Sequence, residues 1–144
     1  MGNGQSAMGA AIALGRTERR MTAERVQSYR DLSAWQRARE LVVAVYELSM
    51  HFPSDERFGL ISQIRRSAIS VPSNIAEGYG RGSSVDYARF LRIARGSLYE
   101  VETQLILACD LEYISRSDVD GMRELINAAA RPLSGLIRSI EQHD

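Results

Sequence analysis

Apolar and small residues recur at steps of three and four along four segments of the chain, the spacing that keeps side chains on one face of an α-helix. We call each such row of positions a seam. The third seam keeps heptad spacing through Tyr87, Leu91, Ala94, Leu98, Val101, Leu105 and Ala108. The first comprises Trp35, Ala38, Val42, Val45, Ser49 and Phe52, and Leu41 and Leu48 widen it. The second comprises Leu60, Ile64, Ser67, Val71, Ile75 and Gly78. The fourth comprises Val119, Met122, Ile126, Ala129, Leu133, Leu136 and Ile140.

The second segment, Phe58 to Arg81, contains a proline within its seam. Pro72 lacks the N–H that would bond the carbonyl of Ala68, so a kink is expected there and a break is the alternative. An interior proline costs a helix about 3 kcal/mol, which surrounding structure has to offset. The segment is therefore predicted to be a packed, central helix. Pro132 is expected to bend the fourth helix in the same way.

Polar residues before each seam predict where the helices begin. Asp31 or Ser33 is expected to cap the first helix, and Ser117 to begin the fourth. Asp55 and Glu56 are expected at the entrance of the second, where acidic side chains favour the helix dipole. A serine of the glycine-rich turn that follows the second helix is expected to cap the third.

Four amphipathic helices joined by short loops predict an all-α fold, an antiparallel up-down-up-down four-helix bundle. The bundle is expected to span residues 29–144, preceded by a disordered tail over residues 1–28 that is rich in glycine, alanine, serine and glutamine. No apolar run reaches the roughly 18 residues that a membrane span requires, so no membrane partner is expected. Cys109 is the only cysteine, which favours a buried thiol and a reducing, cytoplasmic location.

Charge is balanced overall but not along the chain. The chain has 18 arginines, no lysine and 18 acidic residues. Residues 57–95 carry seven arginines against Glu77 and Asp86, whereas residues 96–144 carry four arginines against nine acidic residues. The basic segment could form a face for phosphates. We favour the other interpretation, in which opposite charges meet between neighbouring helices or neighbouring subunits.

Six arginines are the candidate contacts to nucleic acid or to a subunit interface: Arg65, Arg66, Arg81, Arg89, Arg92 and Arg95. The last three are spaced by three residues, so they wind around the helix face opposite the seam. Arg81 lies in a glycine-rich turn that could contact a phosphate, although a simple helix end is the favoured interpretation. Three glutamates, Glu77, Glu100 and Glu102, are candidate partners for Arg66 in a buried or interfacial ion pair that fixes helix register.

The histidines and the cysteine do not form a catalytic pattern. A di-metal centre in a helical bundle uses Glu-x-x-His motifs, but neither His51 nor His143 has a glutamate three residues before it. One cysteine and two histidines near helix ends leave no nucleophile with its base. We therefore expect no metal, no cofactor and no enzyme activity.

Several motifs in order resemble one bacterial family. They are Leu32–Ala38, Phe52-Pro53, Phe58–Leu60, Gln63–Ala68, Val71–Gly78 and Phe90–Glu102. Over about residues 30–142 the chain resembles the four-helix-bundle proteins encoded in intervening sequences of 23S ribosomal RNA genes. That family itself resembles the accessory variability protein of diversity-generating retroelements, which is markedly basic where this chain is neutral.

The resemblance implies a ring-like homo-oligomer, a pentamer. For the retroelement relative it also implies binding to nucleic acid and to a reverse transcriptase, whereas no activity is established for the intervening-sequence proteins. The expected function is thus a non-enzymatic, homo-oligomeric helical-bundle scaffold or interaction protein. The alternative is a nucleic-acid-binding adaptor that works with RNA, DNA or a reverse transcriptase.

Overall fold

A computed structural model describes residues 26–142 and contains four α-helices. They are α1 (Ser33–Ser49), α2 (Leu60–Tyr79), α3 (Ser84–Asp110) and α4 (Arg116–Gln142). Short 3-10 turns, Tyr29–Asp31 and Ser54–Glu56, precede α1 and α2. Most of the expected tail, residues 1–25, lies outside the described residues.

The four helices pack side by side around one interior. α1 contacts α2 and α4, and α3 also contacts α2 and α4, so each helix has two neighbours. Helices that follow one another through short loops and remain neighbours run antiparallel. The predicted all-α four-helix bundle is confirmed, and no strand occurs between residues 26 and 142.

The interior is made of the predicted seams. Every residue of the third seam is buried except Tyr87, which is half-buried. Ten large side chains from the four helices are fully enclosed: Leu41, Val45, Ile64, Val71, Ile75, Leu91, Leu98, Val101, Leu105 and Leu133. Burial of a leucine, isoleucine or valine side chain contributes about 1.5–3 kcal/mol, so this set dominates the stabilisation of the bundle.

In two of the predicted seams, some positions are half-buried and the residue next to them is buried instead. In α1 Trp35 and Val42 are half-buried, and their neighbours Ala34 and Leu41 are buried. Leu41 belongs to the predicted seam, which it widens, whereas Ala34 does not. In α4 the last buried residue is Ile137, and Leu136 and Ile140 are half-buried. A strict three-four repeat averages 3.5 residues per turn, whereas a straight helix has 3.6, so the buried face drifts across the pattern.

The helix starts differ from the sequence prediction in two places. No side chain of the described residues caps α1. The Asp31 carboxylate instead accepts the backbone N–H groups of Gln27 at 2.9 Å and Ser28 at 3.3 Å, which closes the turn before the helix. At α4 the cap is Ser115, not Ser117. The Ser115 hydroxyl accepts the N–H of Asp118, and the Asp118 carboxylate accepts the N–H of Ser115, both at 3.0 Å.

Other expectations about helix starts are met more closely, and the bends expected at Pro72 and Pro132 stay predictions. The Ser83 hydroxyl accepts the backbone N–H of Asp86 at 3.2 Å, so a serine does cap α3. The acidic pair before α2 lies in the 3-10 turn that precedes the helix. Pro72 does not break α2, and α4 likewise continues through Pro132. Packing of α2 against both neighbours supplies the support that an interior proline requires.

Ser115 gives a test of the α4 start. Its backbone N–H, and then its hydroxyl, hold the pKa of the Asp118 carboxyl below its ordinary value of 3.8. This stabilisation is fully present above pH 3.8 and is lost as the pH falls through the lower folded-state pKa. We expect Ser115→Ala to raise the Asp118 pKa in an NMR titration and to lower the free energy of unfolding by about 0.5–2 kcal/mol.

The matched control is Ser117→Ala, because Ser117 is exposed and its hydroxyl makes no hydrogen bond within residues 26–142. That substitution should leave both quantities unchanged. An Asp118 pKa that moves with Ser117→Ala and not with Ser115→Ala would restore the original prediction.

Candidate interaction surface

A groove between α1 and the start of α2 carries the most exposed large apolar side chain among the described residues, Phe58, at 89%. The groove has a volume of about 490 Å³. Phe58 lines it together with Tyr46, Ile61, Ile69 and three arginines, Arg57, Arg65 and Arg66. We call this feature the Phe58 groove. Phe58 is placed outside the bundle because it lies between the Ser54–Glu56 turn and the first residue of α2.

The outer side of α1 extends the groove with further apolar surface. Val43 is 55% exposed and Met50 is 74% exposed. They lie three residues before and four residues after Tyr46, so the three side chains share one face of α1. An exposed apolar patch of this extent, rimmed by arginine, is typical of an interaction site.

Arg65 has a structural role within the groove. Its Nε donates a 2.8 Å hydrogen bond to the Ser49 hydroxyl, and its guanidinium lies 4.4 Å from the centre of the Tyr46 ring. A second guanidinium nitrogen lies 3.4 Å from the Tyr46 carbonyl oxygen. Arg65 therefore ties α2 to the end of α1, and its charge is directed toward α1.

Arg66 lines the Phe58 groove and also a second groove of about 340 Å³, which it shares with Phe58 and Glu100. Within residues 26–142 Arg66 and Glu100 form no ion pair. Glu100 instead accepts a 3.3 Å hydrogen bond from the Ser67 hydroxyl. The structure therefore does not form the buried version of the predicted pair within residues 26–142. An interfacial version stays a prediction.

The other two candidate glutamates have different partners. Glu77 pairs with Arg81 at 2.6 Å, one turn apart on the surface. Glu102 pairs with Arg123 of α4 at 3.3 Å. Exposed ion pairs contribute about 0–1 kcal/mol, so neither pair alone fixes the helix register.

Arg81 and Arg89 meet on one aromatic ring at the turn between α2 and α3. Their guanidinium carbons lie 4.7 Å and 4.6 Å from the centre of the Phe90 ring. Each arginine also has an acidic neighbour, because Arg81 bonds Glu77 and Arg89 lies 3.9 Å from Asp86. The positive charge at this turn is thus largely balanced.

Arg92 and Arg95 lie further along α3. Arg92 forms an ion pair with Glu141 near the end of α4. Arg95 is half-buried and has no ion-pair partner in the part of the chain that the structure describes. The structure therefore does not gather the six candidate arginines at one site. Arg65 and Arg66 line the Phe58 groove, and the other four are distributed along the turn and α3.

A set of hydrogen bonds between polar side chains of α2 and α3 was not predicted from the sequence. The hydroxyls of Ser70 and Ser97 lie 2.8 Å apart, and the Asn74 amide donates to the Ser70 carbonyl at 2.8 Å and to its hydroxyl at 2.9 Å. The Ser97 hydroxyl also lies within hydrogen-bond distance, 3.2 Å, of the Ile93 carbonyl. Serine and asparagine inside two predicted helices, on the sides that face each other, were the available signal.

The Ser70–Ser97 contact can be tested with a double-mutant cycle. We expect Ser70→Ala and Ser97→Ala each to lower the free energy of unfolding by about 0.5–1.5 kcal/mol. The double variant should lose less than the sum, because each single variant leaves the other serine hydroxyl without its partner and the double variant removes that hydroxyl as well. Thermal or urea unfolding measures all four proteins. Additive losses would mean that the two hydroxyls do not interact.

Two tyrosines lie where α2 and α3 contact each other near the turn that joins them. The rings of Tyr79 and Tyr87 meet edge to face, with centres 6.1 Å apart. Burial, with a smaller contribution from Tyr79, raises the pKa of the Tyr87 phenol to about 12. Tyr87 therefore stays neutral at physiological pH and acts as a packing residue.

The described residues place few chemical groups together. No three His, Cys, Asp or Glu side chains converge as metal ligands between residues 26 and 142. Cys109 is half-buried against the core. Within the same residues, every helix is too short or too polar to cross a bilayer.

Comparisons with known proteins agree with this architecture. A solved structure that is similar to the chain is that of a protein of unknown function from the S23 ribosomal protein family of Bacteroides thetaiotaomicron VPI-5482. The sequence identity is 26% and the TM-score 0.66, and the match covers 72% of this chain and 97% of that chain. No curated protein matches. A family model described as "23S rRNA-intervening sequence protein" matches residues 30–135, which include α1 to α3 and most of α4. The chain therefore belongs to the 23S rRNA-intervening sequence protein family.

Proposed function

We propose that the chain is a homo-oligomeric interaction protein, a helical-bundle scaffold without a catalytic role. The observation that carries the proposal is the Phe58 groove with its extension along α1, because Phe58 and Met50 expose 89% and 74% of their surface. Exposed apolar side chains gathered on one face lose contact with water when a partner covers them. A scaffold needs such a surface and needs no catalytic group.

A second copy of the chain is the proposed partner. The chain is basic in its middle and acidic toward its end, with seven arginines against two acidic residues in 57–95 and four against nine in 96–144. Two copies can therefore satisfy each other's charges without any third component. The family resemblance leads us to expect a pentameric ring, and the single thiol leads us to expect a cytoplasmic location.

Light scattering of the full chain tests this proposal. A pentamer would have a mass close to five times 16.1 kDa, and any other homo-oligomer a different whole multiple. A mass of 16.1 kDa at high protein concentration would contradict the proposal.

The same groove gives the second candidate, a nucleic-acid-binding adaptor, its support. Arg57 lies 5.7 Å from the centre of the Phe58 ring, and neither Arg57 nor Arg66 has an ion-pair partner within residues 26–142. Exposed aromatic rings beside arginines can stack bases of single-stranded nucleic acid. If the chain is such an adaptor, the resemblance to the retroelement protein implies a reverse transcriptase as a second partner.

A titration with structured and single-stranded RNA at two salt concentrations separates the candidates. Tight binding that weakens steeply with salt would support the adaptor, since released counterions give that dependence. Absence of binding at low salt would remove it.

A further inference from the structure

The C-terminal half of α3 and the turn that directly follows it present a second exposed apolar strip. Tyr99, Leu107 and Leu111 expose 63%, 46% and 53% of their surface. Tyr99 and Leu107 are eight residues apart, about two helical turns, and Leu111 follows one turn later. Asp110 and Glu112 lie at the same end of α3 and are both exposed. We call these five residues the acidic strip.

The acidic strip has the opposite charge to the Phe58 groove. Neither Asp110 nor Glu112 forms an ion pair within the described part of the chain. Arg57 and Arg66 beside Phe58 likewise have no ion-pair partner there. The two surfaces thus share apolar side chains and differ in the sign of their free charges, which is the pattern of complementary interfaces.

We propose that the acidic strip of one copy docks in the Phe58 groove of the next copy. This inference rests on the proposed homo-oligomer and names the two surfaces that form it. Phe58 is the apolar anchor against Tyr99, Leu107 and Leu111, because buried aromatic residues carry much of the energy of interfaces. Arg57 and Arg66 pair with Asp110 and Glu112 around this anchor.

The contact joins two different surfaces. The Phe58 groove lies on α1 and α2, whereas the acidic strip lies on α3, which packs against α2 and α4 rather than against α1. Two Phe58 grooves facing each other would bring like charges together, which is unfavourable. A contact between two different surfaces leaves one surface free on each end copy, so the assembly grows until it closes as a ring or continues as a filament.

Two variants, each blocked on one surface, test this arrangement. The groove-blocked variant carries Phe58→Asp and Arg66→Glu, and the strip-blocked variant carries Leu107→Arg and Asp110→Arg. All four side chains are exposed, so both variants should retain the helical circular dichroism of the wild type. Each variant alone should have the mass of one chain, 16.1 kDa, by light scattering. An equimolar mixture should form a heterodimer of twice that mass, because one intact groove and one intact strip remain.

Each of the other outcomes would contradict a specific part of the proposal. A wild-type protein that is monomeric would overturn the proposed homo-oligomer itself. A wild-type oligomer whose mass is unchanged in either variant would leave the oligomer standing and overturn the assignment of its surfaces. Variants that dissociate but do not combine when mixed would show that the contact is not between the groove and the strip.

Discussion

Replacing Leu98 by alanine is expected to lower the free energy of unfolding by about 2–5 kcal/mol, as for a buried leucine in a closely packed core. Leu98 is 1% exposed and lies in the middle of α3, within the cluster of buried residues that all four helices share. Truncation removes the transfer energy of the lost methyl groups and leaves a cavity that rigid neighbours cannot fill completely.

Urea unfolding followed by circular dichroism measures this loss. Val85→Ala is the control on the same helix, because Val85 is 71% exposed and its truncation opens no cavity. We expect the control to change the free energy of unfolding by less than about 0.5 kcal/mol. Equal losses in both variants would mean that Leu98 does not face the shared interior.

Replacing Gly78 by alanine is expected to destabilise the bundle by about 1–3 kcal/mol, although alanine is the better helix former. A Cβ atom at Gly78 would lie 2.9 Å from Cβ of Phe90 and 3.2 Å from the carbonyl oxygen of Tyr87. Both atoms belong to or adjoin the backbone of α3, so they cannot move without shifting the helix. Gly78 therefore allows α2 and α3 to approach closely near the turn that joins them.

Gly121→Ala is the matched control, and it should change the free energy of unfolding in the opposite direction. Gly121 lies within α4, is exposed, and has no atom within 4 Å of an added Cβ. We expect a gain of up to about 1 kcal/mol from its improved helix propensity. The melting temperatures of the two variants should therefore move in opposite directions. Stabilisation by Gly78→Ala would contradict the close approach of α2 and α3.

The helices were predictable because burial in this fold follows one period. α3 shows this most clearly, since its predicted seam from Leu91 to Ala108 is buried throughout. The residues that cap the helices were harder to predict from the sequence. Asp31 before α1, and Ser115 and Ser117 at the start of α4, are all residue types that cap helices well. Which of them does so depends on where the backbone turns rather than on residue type.

The candidate surface was only partly predictable. Arg65 and Arg66 are adjacent in sequence, yet one is held by Ser49 and Tyr46 of α1 and the other is exposed beside a groove. The distribution of charge along the sequence cannot distinguish the roles of two adjacent arginines, because those roles depend on which helix packs against each side of α2. Phe58 was part of a family-like motif, but its exposure follows from the turn that precedes α2 and became visible only in three dimensions.

Oxidative footprinting with hydroxyl radicals tests the central claim, that the outer face of α1 and α2 is covered by another copy of the chain. Met50 is the reporter, since methionine reacts readily when exposed and Met50 is 74% exposed in the single chain. The wild type and the groove-blocked variant are labelled at the same high concentration, with Met50 common to both. The predicted result is strong protection of Met50 in the wild type and full reactivity in the variant. Equal reactivity of Met50 in both, in a wild-type sample shown to be oligomeric, would contradict the claim.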